Sequence, residues 1–217
     1  MKDVKPLGGH TLKGRFIALE PLEPRHFDGL VEAGRDPAIW TYMPHDVSAG
    51  VGTLIRRLAD ENAQGRMIIY AVRRLSDDAL VGSTSYLALA PEHAKVEIGF
   101  TWYQPSAQAT AVNPEAKYLL LGNAFGANYN RVELKTDAKN ARSRAAMKKM
   151  GATEEGTLRG HMWMPQGYFR DSVYFSILAS EWPAVKARLE ARLAAFAPRP
   201  SPDPRLARID LSRKRER

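Results

Sequence analysis

The chain reads as a mixed α/β (α+β) domain, one sheet of about seven strands covered by helices on both faces. Two observations predict this. Segments with apolar residues three and four apart interleave with short alternating runs, in the order strand, two helices, three strands, helix, strand, helix, two strands, helix. The composition, 44% hydrophobic and 26% charged, is that of a globular protein with a substantial core. No internal repeat interrupts the pattern.

The elements follow in order. Gly14 to Leu22 alternates as a strand. Pro24 opens a helix with Phe27, Leu30 and Val31 on one face, and Trp40, Tyr42 and Met43 fall in a loop ending at Pro44. Ser48 caps a second helix that buries Val51, Leu54, Ile55 and Leu58 and stops at Gly65. Strand-like runs occupy 67–73, 80–89 and 95–102. Next comes "QPSAQATAVNPEAKYLLL" (104–121), a loop of small residues leading into a helix with Asn113 as its cap and Pro114 in its first position. Tyr118, Leu121, Phe125 and Tyr129 continue its apolar face. A strand spans 131–137, and Asn140 caps a helix ending at Gly151. The runs 157–164 and 169–178 form a hairpin around Pro165-Gln166-Gly167. Ser180 caps a last helix with Trp182, Val185, Leu189, Leu193 and Phe196 at core spacing.

Residues 1–197 form the domain on this reading, and 198–217 a basic, proline-rich tail. The net charge is +8, and half of that excess lies between Pro198 and Arg217. Such a tail suits contact with RNA or the ribosome, whereas the charge left on the domain does not indicate DNA binding. The chain has no cysteine, which excludes disulfides, thiolate metal sites and a cysteine acyl-enzyme. No segment reads as a signal peptide or membrane span, so a cytoplasmic location is expected. The histidines (His10, His26, His45, His93 and His161) lack metal-ligand spacing, and the common nucleotide-binding and serine-hydrolase motifs are absent; no metal is expected.

Two stretches carry chemistry. The start of the helix near residue 114 has free N–H groups and partial positive charge, and a small-residue loop before it makes a ready phosphate site. The run 95–102 alternates, with Val96, Ile98, Phe100 and Trp102 on one face and Glu97, Gly99 and Thr101 on the other.

With the segments "VGSTSYL" (81–87), "VEIGFTW" (96–102), "QATAVNPEAK" (108–117), "ELKTDAKNARSRAAMKKMGATEEGTLR" (133–159) and "GYFRDSVYFSIL" (167–178) in this order, the chain resembles the GNAT acyltransferase superfamily. It is most similar to the RimJ/RimL-type branch, which acetylates N-terminal amines of ribosomal proteins. The resemblance covers roughly residues 10 to 185 and implies the GNAT fold, a twisted and mostly antiparallel sheet, with acetyl-CoA as co-substrate. In the implied layout the coenzyme diphosphate meets the loop Gln108, Ala109, Thr110, Ala111, Val112 and Asn113. Ala111 and Asn113 stand where the family pattern has glycine or a small residue, which questions how closely the backbone approaches phosphate. The pantetheine arm lies along Phe100, Thr101 and Trp102, with Asn140 nearby.

The resemblance also implies roles. Glu97 matches the general base that acts through water, and Ser143 the donor of a proton to the leaving thiolate. Trp40, Tyr42, Tyr86, His161 and Trp163 border the acceptor channel, with His161 a candidate second base. Arg170 and Asp171 read as a structural pair or a hairpin contact. An α-amine titrates near 7.7–8.0 and a lysine near 10.4, so at pH 7 roughly 10% of the former and under about 0.1% of the latter is neutral. That favours an N-terminal amine as acceptor. A small-molecule amine acetyltransferase and a non-catalytic acyl-CoA-binding or RNA-associated module are the other readings, and monomer and homodimer both fit.

Overall fold

The computed structural model describes residues 3–196, so the expected tail at 198–217 lies outside the described residues. The strands are β1 (Leu12–Lys13), β2 (Ile17–Pro21), β3 (Ile68–Arg74), β4 (Leu80–Ala90), β5 (Lys95–Tyr103), β6 (Arg131–Asp137), β7 (Thr153–Met164) and β8 (Tyr168–Leu178). They form one sheet in the order β1-β2-β3-β4-β5-β6-β8-β7. Every neighbouring pair is antiparallel except β5 and β6, which run parallel.

Five helices cover the sheet: α1 (Phe27–Ala33), α2 (Val51–Ala63), α3 (Val112–Gly126), α4 (Ala141–Met150) and α5 (Trp182–Ala194). On one face Val112, Ala116, Leu120 and Leu121 of α3, with Val185 and Leu189 of α5, pack on Val96, Ile98, Val132, Leu134, Val173 and Phe175. On the other face α1 and α2 cover only the N-terminal half, where Leu30, Leu54, Ile55 and Leu58 meet Ile69, Ala71 and Trp102. The C-terminal half of that face carries no helix core and is polar. Among the described residues no helix is long and apolar enough to cross a membrane.

The eighth strand is β1 at Leu12–Lys13, ahead of the expected run 14–22, of which only Ile17–Pro21 forms β2. Buried Glu115 of α3 accepts the amides of Arg15 (2.7 Å), Phe16 (2.6 Å) and Ile17 (2.8 Å), which pulls the chain out of strand geometry. Gly14 is required there, since a Cβ would lie 2.4 Å from the Glu115 carboxyl carbon. Three expected caps move. The cap residues are Gly50 rather than Ser48 for α2, Ala111 rather than Asn113 for α3, and Glu181 rather than Ser180 for α5. Glycine tolerates the required φ of 89° at Gly50. The first turn of α3 forms two residues early because Glu115 bonds back to Ala111, so Pro114 sits inside it where its missing N–H costs nothing. Phe196, placed in the core by spacing, is past the end of α5 and exposed.

Candidate active site

The polar half-face contains a cleft that the strand pairing creates. β5 and β6 pair only from Lys95–Glu97 to Arg131–Glu133, after which β5 stays with β4 and β6 with β8. A β-bulge coincides with the split. Gly99 opposes Ser85 and Trp102 opposes Ser83, so β5 has one residue too many, and Phe100 takes a positive φ of 46°. The bulge corrects the expected faces: Phe100 and Trp102 join the α1–α2 side with Glu97, away from Val96 and Ile98. Thr101 turns instead toward α3, where it accepts from Lys117 Nζ at 2.9 Å. Burial pushes that lysine down to about 7.

Glu97 stands at the split. It is 3% exposed, so it is not a solvated strand glutamate. Lys135 Nζ donates to Oε2 at 2.8 Å, while Oε1 is buried and has no hydrogen-bond partner among the described residues. A Cβ on Gly99 would lie 2.7 Å from that oxygen, so glycine keeps the space beside it open. A buried acceptor left unmade costs about 1–3 kcal/mol, a deficit that a donor entering the cleft would relieve.

Beyond β5 the chain turns into the small-residue loop. Gln108 is fixed twice: its Nε2 donates to the Tyr103 carbonyl at 2.9 Å, and its Oε1 accepts from Arg142 at 2.6 Å. Thr110 Oγ1 donates to the Ala107 carbonyl at 2.7 Å. Among the described residues the amides of Ala109, Thr110, Ala111 and Asn113 donate to nothing, while Val112 N reaches only Thr110 Oγ1 at 3.3 Å. The left-handed residue is Ala109, with φ 61°, and Ala111 is right-handed at φ −65°. Glycine is therefore not needed at 111 for backbone reasons.

The N-terminus of α4 faces this loop through Arg142. Asn140 caps it as expected, Oδ1 accepting from Ser143 N at 2.9 Å, and Gly151 ends it with φ 103°. Ser143 Oγ makes no hydrogen bond among the described residues, so it does not serve as a local cap. The Arg142–Gln108 bond brings the start of α4, which carries the free Ser143 hydroxyl, to the loop with the four unpaired amides. These donors suit a diphosphate-bearing thioester, which is the fit the coenzyme requires.

Residues 17–153 match the family model of the acetyltransferase (GNAT) domain. The chain belongs to the GNAT acetyltransferase family. Bacillus subtilis YdaF, named as a candidate ribosomal N-acetyltransferase, is 30% identical over 132 residues, which is 60% of this chain and 68% of YdaF. A GCN5-related N-acetyltransferase from Brucella melitensis superposes with a TM-score of 0.80 at 27% identity, covering 88% of this chain and 89% of that one. Mycobacterium smegmatis RimJ, solved with CoA-disulfide, shares the fold with a TM-score of 0.70 at 22% identity over 81% of this chain and 88% of its own. The GNAT protein is thus an acyl-CoA-dependent acetyltransferase.

The acceptor face of this GNAT enzyme differs from the expectation at several positions. Tyr86 is a core residue on the α3 side, fully buried, its hydroxyl donating to the Leu120 carbonyl at 2.6 Å. Trp40 lies buried beneath α1 and α2 against Trp102, its Nε1 donating to the Gly34 carbonyl at 2.8 Å. Trp163 pairs with Phe169 on the opposite face of the hairpin from Arg170 and is 61% exposed. His161 does reach the Glu97 face. A bulge around Gly160, φ 57°, turns it over so that Nδ1 lies 2.9 Å from Ser172 Oγ. Partial burial and the charges of Lys135 and Arg170 hold it below the usual histidine value, against a pull from Glu97. Half-buried Tyr42 lies near Tyr168, whose hydroxyl donates to Asp137.

Of the two expectations for Arg170 and Asp171 the hairpin contact holds: Asp171 accepts from Gly160 N of β7 at 2.7 Å, while Arg170 does not pair with it and donates from Nε to Ser172 Oγ at 2.9 Å. Lys135, Arg142, Arg170 and Ser172 were not assigned to the site from sequence. Lys135 and Ser172 become neighbours of Glu97 and His161 only through strand pairing, so no local spacing announces them. Arg142 had a signal, one residue before Ser143 in a segment that carries the resemblance.

Proposed function

We propose that this protein is an N-acetyltransferase that moves an acetyl group from acetyl-CoA to an α-amine at a peptide N-terminus, directly and within a ternary complex. The carrying observation is the buried, unpartnered Oε1 of Glu97 beside the β5–β6 split. Acetyl-CoA supplies the activated acetyl thioester. The free amides of Ala109, Thr110, Ala111 and Asn113 hold its diphosphate, with Gln108 and Arg142 bracing the loop. The unpaired edge of β5 after Glu97 offers backbone groups to the pantetheine arm.

Glu97 attracts the acceptor ammonium at Oε1 and takes up its proton, directly or across a water, while Lys135 holds the carboxylate in place through Oε2. An α-amine asks little of that base, being already partly neutral at pH 7. The Ser143 hydroxyl supplies a proton from Oγ, and its freedom from local hydrogen bonds leaves it available. The similarity to YdaF and the shared RimJ fold favour ribosomal proteins as acceptors.

The test is thiol release from acetyl-CoA over a panel of N-terminal peptides, preceded by calorimetric titration of the coenzyme. Ser143→Ala is expected to lower kcat roughly ten- to a thousandfold with coenzyme affinity nearly unchanged, and Glu97→Gln to remove the acidic limb of the pH–rate profile. A wild-type protein that ignores millimolar acetyl-CoA would refute the reading.

A further inference from the structure

Among the described residues the polar half-face holds a buried arginine that forms no ion pair. Arg170 is 4% exposed, and its only hydrogen bond among the described residues runs from Nε to Ser172 Oγ. It forms no ion pair there. The fully buried atoms without partners include Glu97 Oε1 but neither Arg170 Nη, so the two terminal nitrogens are unpartnered and open to solvent. The neighbouring charges are already engaged. Lys135 holds Glu97, and Asp137 accepts from Lys139 N and from the Tyr168 hydroxyl. Lys139 lies over the Tyr168 ring at 3.9 Å. With its stem buried and its Nη edge facing solvent, the guanidinium is held in one orientation in which a planar anion can take both Nη groups.

Strand pairing sets this fork on the side of the sheet that carries Glu97. Lys135, which binds Glu97, opposes Tyr174, and Asp137 opposes Ser172, so residues 170, 172 and 174 of β8 line the same face. Arg170 also feels the Glu97 and Asp137 charges, although burial is the larger influence and lowers its affinity for a proton. The face therefore offers an unmet carboxylate oxygen and an unmet guanidinium together.

We propose that Arg170 is the specificity residue of the acceptor site, binding a carboxylate carried by the same molecule whose amine Glu97 receives. The acceptor class is a zwitterion with amine and carboxylate close together. A free amino acid supplies this chemistry through its own carboxylate, and a peptide through an acidic first side chain. Ser172 holds the fork in place from below, and His161 on the other side of Ser172 borders the same space. This inference rests on the acetyltransferase reading of the Glu97 site.

The experiment compares kcat/KM for peptides beginning with Glu against those beginning with Gln, and for free glutamate against its analogue lacking the α-carboxylate. Wild type is expected to prefer the carboxylate by about 10- to 100-fold, with whichever pair shows the preference naming the source. In Arg170→Gln the ratio is expected to fall to near one, and in Arg170→Lys to an intermediate value. Because a buried arginine can matter for folding, the wild-type ratio stands as a test by itself: equal rates on both members of both pairs would overturn the proposal. So would an Arg170→Gln enzyme that slows equally on both members. A calorimetric titration with glutarate, which needs no turnover, separates the two readings. Glutarate binding abolished by Arg170→Gln without thiol release would keep Arg170 and sink acetyl transfer. No glutarate binding to wild type, with no preference in turnover, would sink Arg170 alone.

Discussion

Lys117 shows what a buried charge does to one residue. Its Nζ is packed under β5 with a single partner, the Thr101 hydroxyl, which also bonds Thr84 at 2.8 Å. Burial lowers it from 10.5 to about 7, so the unfolded chain holds this proton over a range in which the folded protein has released it. Between about pH 7 and pH 10.5 the unfolded state therefore binds more protons, and this group makes stability rise with pH. Below that window the charge is buried at full cost. Lys117→Met should melt higher than wild type at pH 7, and the gap should close as the pH climbs to 10. Paired thermal melts across that range check it; a gap that stays constant would mean that Lys117 does not titrate there. Glu115 is the opposite case, a carboxylate fully used by three amides. Glu115→Gln would set an NH2 against those donors, and a loss of about 2–3 kcal/mol is expected in urea unfolding. A loss under 0.5 kcal/mol would show that the N-terminal strand is held otherwise.

At the scale of the element, the phosphate loop turns on Ala109. A non-glycine residue in the left-handed region costs about 1–2 kcal/mol, and such strain persists where the surroundings impose it. Here they do, since Gln108 is anchored at both ends of its amide and Thr110 is tied to Ala107. Ala109→Gly should raise stability by up to about 1 kcal/mol if the relief exceeds the added freedom of the unfolded chain, and acetyl-CoA affinity should change less than threefold. Melting with and without coenzyme reads both quantities. A destabilised variant would place the positive φ elsewhere in the loop. The bulge at Phe100 is the matching device in β5, and the Phe100 ring is braced there by His45 at 4.5 Å.

For the whole molecule, the site exists because two halves of one sheet part between parallel neighbours. Helices α3 and α5 pack on one face, and α1 and α2 on the other reach as far as Phe100 and Trp102 at the end of β5, which leaves the face of Glu97, β6 and β8 for polar side chains. The sequence by itself determined the order of the elements, and the strand bounds 131–137 match β6 residue for residue, because apolar periodicity is a local signal. It also brought out the Asn140 cap and the Gly151 end of α4 from local pattern, whereas Glu97 and Ser143 entered only through the family resemblance. The tertiary structure decided the rest. In β5 a bulge adds one residue and exchanges faces, so Phe100 and Trp102 changed sides, and in β7 two extra residues between Leu158 and Met162 let His161 turn toward Ser172 while Trp163 stayed on the far side. Tyr86 went to the core by the pleat of β4, and Trp40 through the 3-10 turn Pro37–Trp40, which no strand alternation governs. The partners of Glu97 and the empty fork of Arg170 depend on which strands lie side by side, a contact between residues far apart in the chain that no local spacing encodes.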